Sequence, residues 1–167
     1  RKKGNTPMSV KIIVDSTTYL IPSIMEQVTV VPLTVCFGQE EFTDGVTITH
    51  EQFYEKLVEC DVLPTTSQAS PDAFIRVLSE TLAPGDSALI LTLSSELSGT
   101  YQSAVIAAGE FEEVFVVDSS SVAIGTGILT EYALECVKKG MSAKEIAEEI
   151  ERKKKDVCVI AMLDTLE

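Results

Sequence analysis

The 167-residue chain is 45% hydrophobic and 23% charged, a composition that supports one sizeable core and lies far from the polar signature of disorder. A formal net charge of -13 argues against nucleic acid or anionic membrane as partners, because excess carboxylate repels phosphate. No apolar run approaches the length of a membrane span and no signal peptide is visible, so stable membrane insertion is not expected.

The first seven residues, RKKGNTP, are polar and precede Met8, and are set aside as a disordered leader or expression remnant; residues 8–167 are expected to form one α/β domain. Val10 to Val14 before Asp15, Ala88 to Leu93 before Ser94, and Val114 to Val117 before Asp118 are continuous apolar runs, the pattern of strands buried on both faces of a parallel sheet. Val28 to Phe37 and Val157 to Leu163 are two further strand candidates, the former broken by Pro32 into an edge strand or two short pieces.

Between these runs lie helix starts. Thr49 with Gln52 and Ser142 with Glu145 have capping-box spacing, and Phe53, Leu57 and Val58 follow the first as one apolar face. Ser70 before Pro71 is an N-cap with proline at the first helical position, followed by the stripe Phe74, Val77 and Leu78. Further helices are expected over Ser98 to Glu110 and Ala123 to Lys139, the latter stopped by Gly140. The order β, α, β, α, α, β, α, β, α, α, β predicts an α/β fold: a mostly parallel sheet with helices on both faces.

In such sheets ligands bind at the carboxyl ends of the strands. Three strand ends here are rich in hydroxyls: Asp15-Ser16-Thr17-Thr18, Ser94 to Thr100, and Asp118-Ser119-Ser120-Ser121, with "PTTSQASP", Pro64 to Pro71, joining them before a helix. Ser and Thr cap helices, and each stretch enters one. Together they would gather a dozen hydroxyls at one sheet edge, without Lys, Arg or His as base or charge clamp. Neutral donors and helix dipoles of that kind suit a carboxylate or phosphate head group.

Catalytic readings are poorer. His50, beside Thr49 and Glu51, is the sole imidazole and reads as a surface residue at a helix start, far in sequence from every serine cluster. "GTGILT", Gly125 to Thr130, imitates a dinucleotide fingerprint but lacks its third glycine, and no P-loop is present. Asp15 stands where some phosphohydrolases carry an aspartyl nucleophile, yet no acidic partner for Mg²⁺ lies two residues on; bracing the adjacent turn is the simpler reading. Cys36, Cys60, Cys136 and Cys158 are scattered without a C-x-x-C pair, which suits a reducing cytoplasm, and neither a metal site nor a cofactor is expected. The basic run Arg152 to Lys155 reads as cations complementing a helix C-terminus.

"VDSTTYLIP", "LPTTSQASPDAF", "LTLSSELSGTYQSA", "VFVVDSSSVAIGTG" and "LDTLE" resemble, in order and spacing over Val10 to Glu167, the DegV family of bacterial fatty-acid-binding proteins. The resemblance implies a cytoplasmic carrier, not an enzyme, that binds one long-chain fatty acid and presents its carboxylate to a separate fatty acid kinase for conversion to acyl phosphate. It places carboxylate binding on Thr66 and Ser95, with Ser67, Ser94, Ser98, Gly99 and Thr100 in support. It also implies that this chain is the N-terminal domain alone, since family members continue past "LDTLE" into a second domain that closes over the ligand. Two other readings stand beside it: a phosphoryl-transfer or hydrolase domain using Asp15, and an acidic domain that docks a basic protein.

Overall fold

Residues 9–162 are described by a computed structural model. The three continuous apolar runs form strands β1 (Val10–Asp15), β6 (Ser87–Thr92) and β7 (Val114–Asp118). With β2 (Thr29–Val31) they build a four-stranded, wholly parallel sheet in the order β2-β1-β6-β7. Val14 lies across from Val30 on one side and Leu91 on the other, and Ile90 pairs with Val116.

Because successive side chains point to opposite faces, a strand covered on both sides must be apolar throughout. Ile12, Val14, Leu89, Leu91 and Val117 pack on one side against Leu129 and Ala133 of α5 (Ile124–Lys138) and Ile146 and Ile150 of α6 (Ala143–Lys153). Ile13, Val31, Ala88 and Ile90 meet Phe74 and Leu78 of α3 (Pro71–Thr81) and Ala104 and Ala107 of α4 (Thr100–Ala108) on the other. The expected parallel sheet with helices on both faces is thus present.

Pro32 divides Val28 to Phe37 into two pieces that enter different sheets. β2 joins the parallel sheet, and β3 (Thr34–Phe37) joins an antiparallel sheet in the order β4-β3-β5, with β4 (Glu40–Thr43) and β5 (Thr65–Ser67). Val35 and Phe37 alternate inward from β3 onto Ile48, Phe42 and Phe53, a small second core roofed by α2 (His50–Glu59).

Both predicted capping boxes form: Thr49 Oγ1 accepts the Gln52 N–H at 3.2 Å, and Ser142 Oγ accepts the Glu145 N–H at 3.3 Å. Ser70 caps α3 through the Ala73 N–H at 3.2 Å, α1 is one short turn (Pro22–Met25), and α5 ends before Gly140, whose φ of +80° suits glycine alone. The expected last strand does not form. Residues 157–162 follow a 3-10 turn (Lys154–Asp156) with no strand partner among the described residues; Val157 packs on the larger core while Ile160 and Met162 stay exposed. Leu163 and the leader at residues 1–7 lie outside the described residues.

From β1 the chain moves to β2 on one side, then crosses to β6 and on to β7 on the other. The carboxyl ends of β1 and β6 therefore frame the point where the loops diverge, the place where open α/β sheets hold ligands.

Candidate functional site at the carboxyl edge of the sheet

Asp15, the last residue of β1, is fully enclosed. Its Oδ1 accepts the Thr17 N–H at 3.0 Å and the Thr17 hydroxyl at 2.5 Å, while Oδ2 accepts the Leu93 N–H at 2.7 Å. The carboxylate thus ties the loop after β1 to the end of β6. Burial pushes its pKa up, opposed by the Thr17 hydroxyl and the Leu93 and Thr17 N–H donors. With both oxygens engaged and no exposed surface, Asp15 is a brace and is not presented as a nucleophile.

The hydroxyls divide by direction. Ser119 is buried and shares a 2.9 Å hydrogen bond with Thr126 of α5, and the Thr130 hydroxyl donates to the Thr126 carbonyl at 2.8 Å. Ser94 is also buried, its N–H donating to the Ser121 carbonyl at 2.7 Å and its hydroxyl accepting the Glu96 N–H at 3.3 Å. Thr100 is enclosed at the start of α4 and shares a 2.9 Å bond with Ser98, whose hydroxyl also accepts the Thr100 N–H at 3.2 Å. Of the dozen hydroxyls expected at this sheet edge, several are therefore buried and bonded within the protein. Ser16, Ser70, Ser94, Ser98 and Ser119 bond the backbone groups that strand ends and helix starts leave unpaired, and Thr17 and Thr100 bond neighbouring side chains.

Those that face outward include Thr66, Ser67 and Ser95, all exposed. Thr66 sits on β5 across from Val35, and Ser67 across from Thr34. Gln68 follows directly. Its Nε2 donates to Ser103 Oγ of α4 at 3.0 Å, and its amide fills the space over Gly99, where a Cβ would stand 2.0 Å from Oε1. Gly99 has an ordinary φ of -72°, so its requirement is room for this side chain. Through Gln68 the structure brings the Thr-Thr-Ser-Gln segment onto the Ser98-Gly99-Thr100 helix start. Ser95 is held from the other side: its hydroxyl donates to Asp118 Oδ2 at the end of β7 at 2.5 Å.

A cation does reach this edge. Lys154 Nζ donates to the Asp118 carbonyl at 2.9 Å and pairs with Glu151 at 2.7 Å, while Arg152 pairs with Glu149 and Lys153 with Asp156. Arg152, Lys153 and Lys154 of the basic run are engaged with local acids, and Lys154 corrects the expectation of an edge with no Lys nearby.

Beside the switch point lies an apolar cavity of about 390 Å³, lined by Tyr19, Leu20, Met25, Val30, Pro32 and Val46, with Ser16, Thr18, Asp44 and His50 among its polar groups. His50, read from the sequence as a surface residue, is exposed and also borders this space. Gly127 of "GTGILT" positions the Tyr19 side of its wall. A Cβ on Gly127 would meet the Tyr19 carbonyl at 2.2 Å, and one on Gly125 the Ser121 hydroxyl at 1.9 Å. Tyr19 is further fixed by its N–H bond to the Ala123 carbonyl at 3.2 Å. Because a backbone carbonyl cannot swing aside, Gly127→Ala is expected to lower stability by about 1–3 kcal/mol in urea unfolding; an unchanged midpoint would refute the close approach.

Gln68, Asp118 and the cavity carried no role in the sequence reading. Gln68 lies inside the Thr-Thr-Ser-Gln segment and Asp118 at the end of β7; their partners are 35 and 23 residues away, and no local pattern announces them.

Among the described residues no helix is long and apolar enough to cross a membrane. The family pattern described as "Uncharacterised protein, DegV family" matches residues 9–167. A DegV domain-containing protein of Deinococcus radiodurans is 37% identical over 163 residues, covering 96% of this chain and 58% of that protein. A DegV family protein of Thermus thermophilus, whose structure is described for fatty acid binding, superimposes with a TM-score of 0.79 at 37% identity, over 89% of this chain and 54% of that one. DegV of Bacillus subtilis, described as a fatty acid binding protein, gives 0.79 at 31% identity, over 89% and 54%. The chain spans about half the length of the curated relatives it matches. On this pattern and these likenesses, the chain belongs to the DegV family.

Proposed function

We propose that this chain is the N-terminal, carboxylate-holding domain of a cytoplasmic carrier for a long-chain fatty acid. Thr66 and Ser95 donate to the carboxylate, with Ser67, Ser94, Ser98, Gly99 and Thr100 holding the surrounding loops. The carrier performs no chemistry itself and presents the carboxylate to a separate fatty acid kinase. The observation that carries this reading is the Gln68 bridge, which seats the Thr-Thr-Ser segment against the Ser-Gly-Thr helix start at the carboxyl edge of the sheet. The apolar cavity lined by the loop that follows β1 supports it by offering surface for an alkyl tail.

Organic extraction of the protein after incubation with palmitate, followed by mass spectrometry, tests the reading. Stoichiometric palmitate is expected, and its absence after detergent-free purification would count against it. A hydrogen bond to a charged group contributes about 1.5–3 kcal/mol, so Thr66→Ala is expected to weaken palmitate binding at least about tenfold with an unchanged melting temperature. Ser95→Ala is expected to weaken it in the same direction. Unchanged affinity in both variants would remove these residues from the site.

A further inference from the structure

The proposed role of Ser95 meets a constraint from its own hydrogen. A serine hydroxyl has one proton to give, and here that proton goes to Asp118 Oδ2 at 2.5 Å. The opposite oxygen, Oδ1, accepts the Ser120 N–H at 2.7 Å. Ser120 sits in the left-handed region at φ 52°, and Lys154 holds the main-chain carbonyl of Asp118 at 2.9 Å, so the backbone that carries the carboxylate is fixed while its two oxygens are taken by Ser95 and Ser120. An arriving ligand carboxylate needs the same Ser95 proton, on a surface where Asp118 already presents a carboxylate.

Resting on the fatty-acid carrier reading, we propose that Asp118 is a positioning residue that acts as an internal competitor, occupying the Ser95 hydroxyl in the free protein and setting an upper limit on carboxylate affinity. Ligand binding exchanges one charge-assisted hydrogen bond for another. Such an exchange keeps binding reversible, which a protein that must hand its cargo on requires.

Asp118→Asn tests this with a side chain of the same shape. The Ser120 N–H fixes the amide oxygen at the Oδ1 position, which leaves Nδ2 facing Ser95 Oγ as a donor and turns the serine proton outward. The expected result is an increase of about tenfold in palmitate affinity, on the scale of a charge-assisted hydrogen bond, with 1-hexadecanol affinity moving much less. The effect of Ser95→Ala is expected to be larger in the Asp118→Asn background than in the wild type, since the competitor is gone. A bracing role alone would move palmitate and hexadecanol together and would leave the Ser95→Ala penalty unchanged.

Palmitate binding by the wild type with equal or weaker binding by Asp118→Asn overturns this proposal and leaves the carrier reading standing. Failure of both proteins to bind either probe overturns the two together. Should Asp118→Asn not fold, the unmodified protein supplies the measurement: the Asp118 side-chain carboxyl carbon resonance is expected to move on titration with palmitate, and a stationary resonance overturns the exchange.

Discussion

Replacing Asp15 with alanine is expected to lower the free energy of unfolding by about 3 kcal/mol, since each buried donor left without a partner costs about 1–3 kcal/mol. Three donors converge on this carboxylate, and one of them, the Leu93 N–H, is enclosed where water cannot replace the lost acceptor. Asp15→Asn keeps the shape but not the pattern. Oδ1 takes the Thr17 donors and Oδ2 the Leu93 N–H, so an amide nitrogen in either place opposes an N–H, and a loss of about 2 kcal/mol is expected. A loss below about 1 kcal/mol in both variants would mean that the carboxylate does not brace the switch point.

The pH dependence of this pair has a definite sign. Burial raises the Asp15 pKa above its ordinary value of 3.8, so the folded state holds the proton more tightly than the unfolded state. The resulting stabilisation is fully present below 3.8 and is lost as pH rises through the raised folded-state value. Against Asp15→Asn, which does not titrate there, the wild type should therefore gain relative stability as pH falls through that window. Urea titrations of both proteins across the acid range measure it.

The parts legible in the sequence are those governed by local pattern. β1, β6 and β7 announce themselves because strands covered on both faces have no polar alternation to hide them, and Thr49, Ser70 and Ser142 mark helix starts because a cap acts within three residues. β4 and β5 do not announce themselves. Glu40–Thr43 and Thr65–Ser67 are short and polar, and become strands only by pairing with β3. Val157 to Met162 shows the converse error, an apolar run without a neighbouring strand to pair with among the described residues. The site divides in the same way. Hydroxyl density is visible in sequence, but Ser119, Thr100 and Thr126 turn inward while Ser95 turns outward, and that choice rests on partners brought together by the fold.

If the cavity beside Tyr19 receives the alkyl tail, affinity is expected to rise about fourfold for each methylene added, because burying one CH₂ contributes about 0.8 kcal/mol. Between saturated acids of about ten and sixteen carbons this amounts to roughly three orders of magnitude while every added carbon is buried. On the proposed reading the head group would act on a smaller scale, about tenfold for a lost hydrogen bond to the carboxylate, so the tail would govern how tightly the ligand binds and the hydroxyls which way it points. Val46 separates the two contributions. It lines the cavity yet is 72% exposed, so Val46→Asp can be made without disturbing either core. The variant should flatten the dependence on chain length while leaving the ratio between Thr66→Ala and its parent unchanged. A wild-type slope near one per methylene would place the tail in water, and an unchanged slope in Val46→Asp would place it elsewhere on the protein.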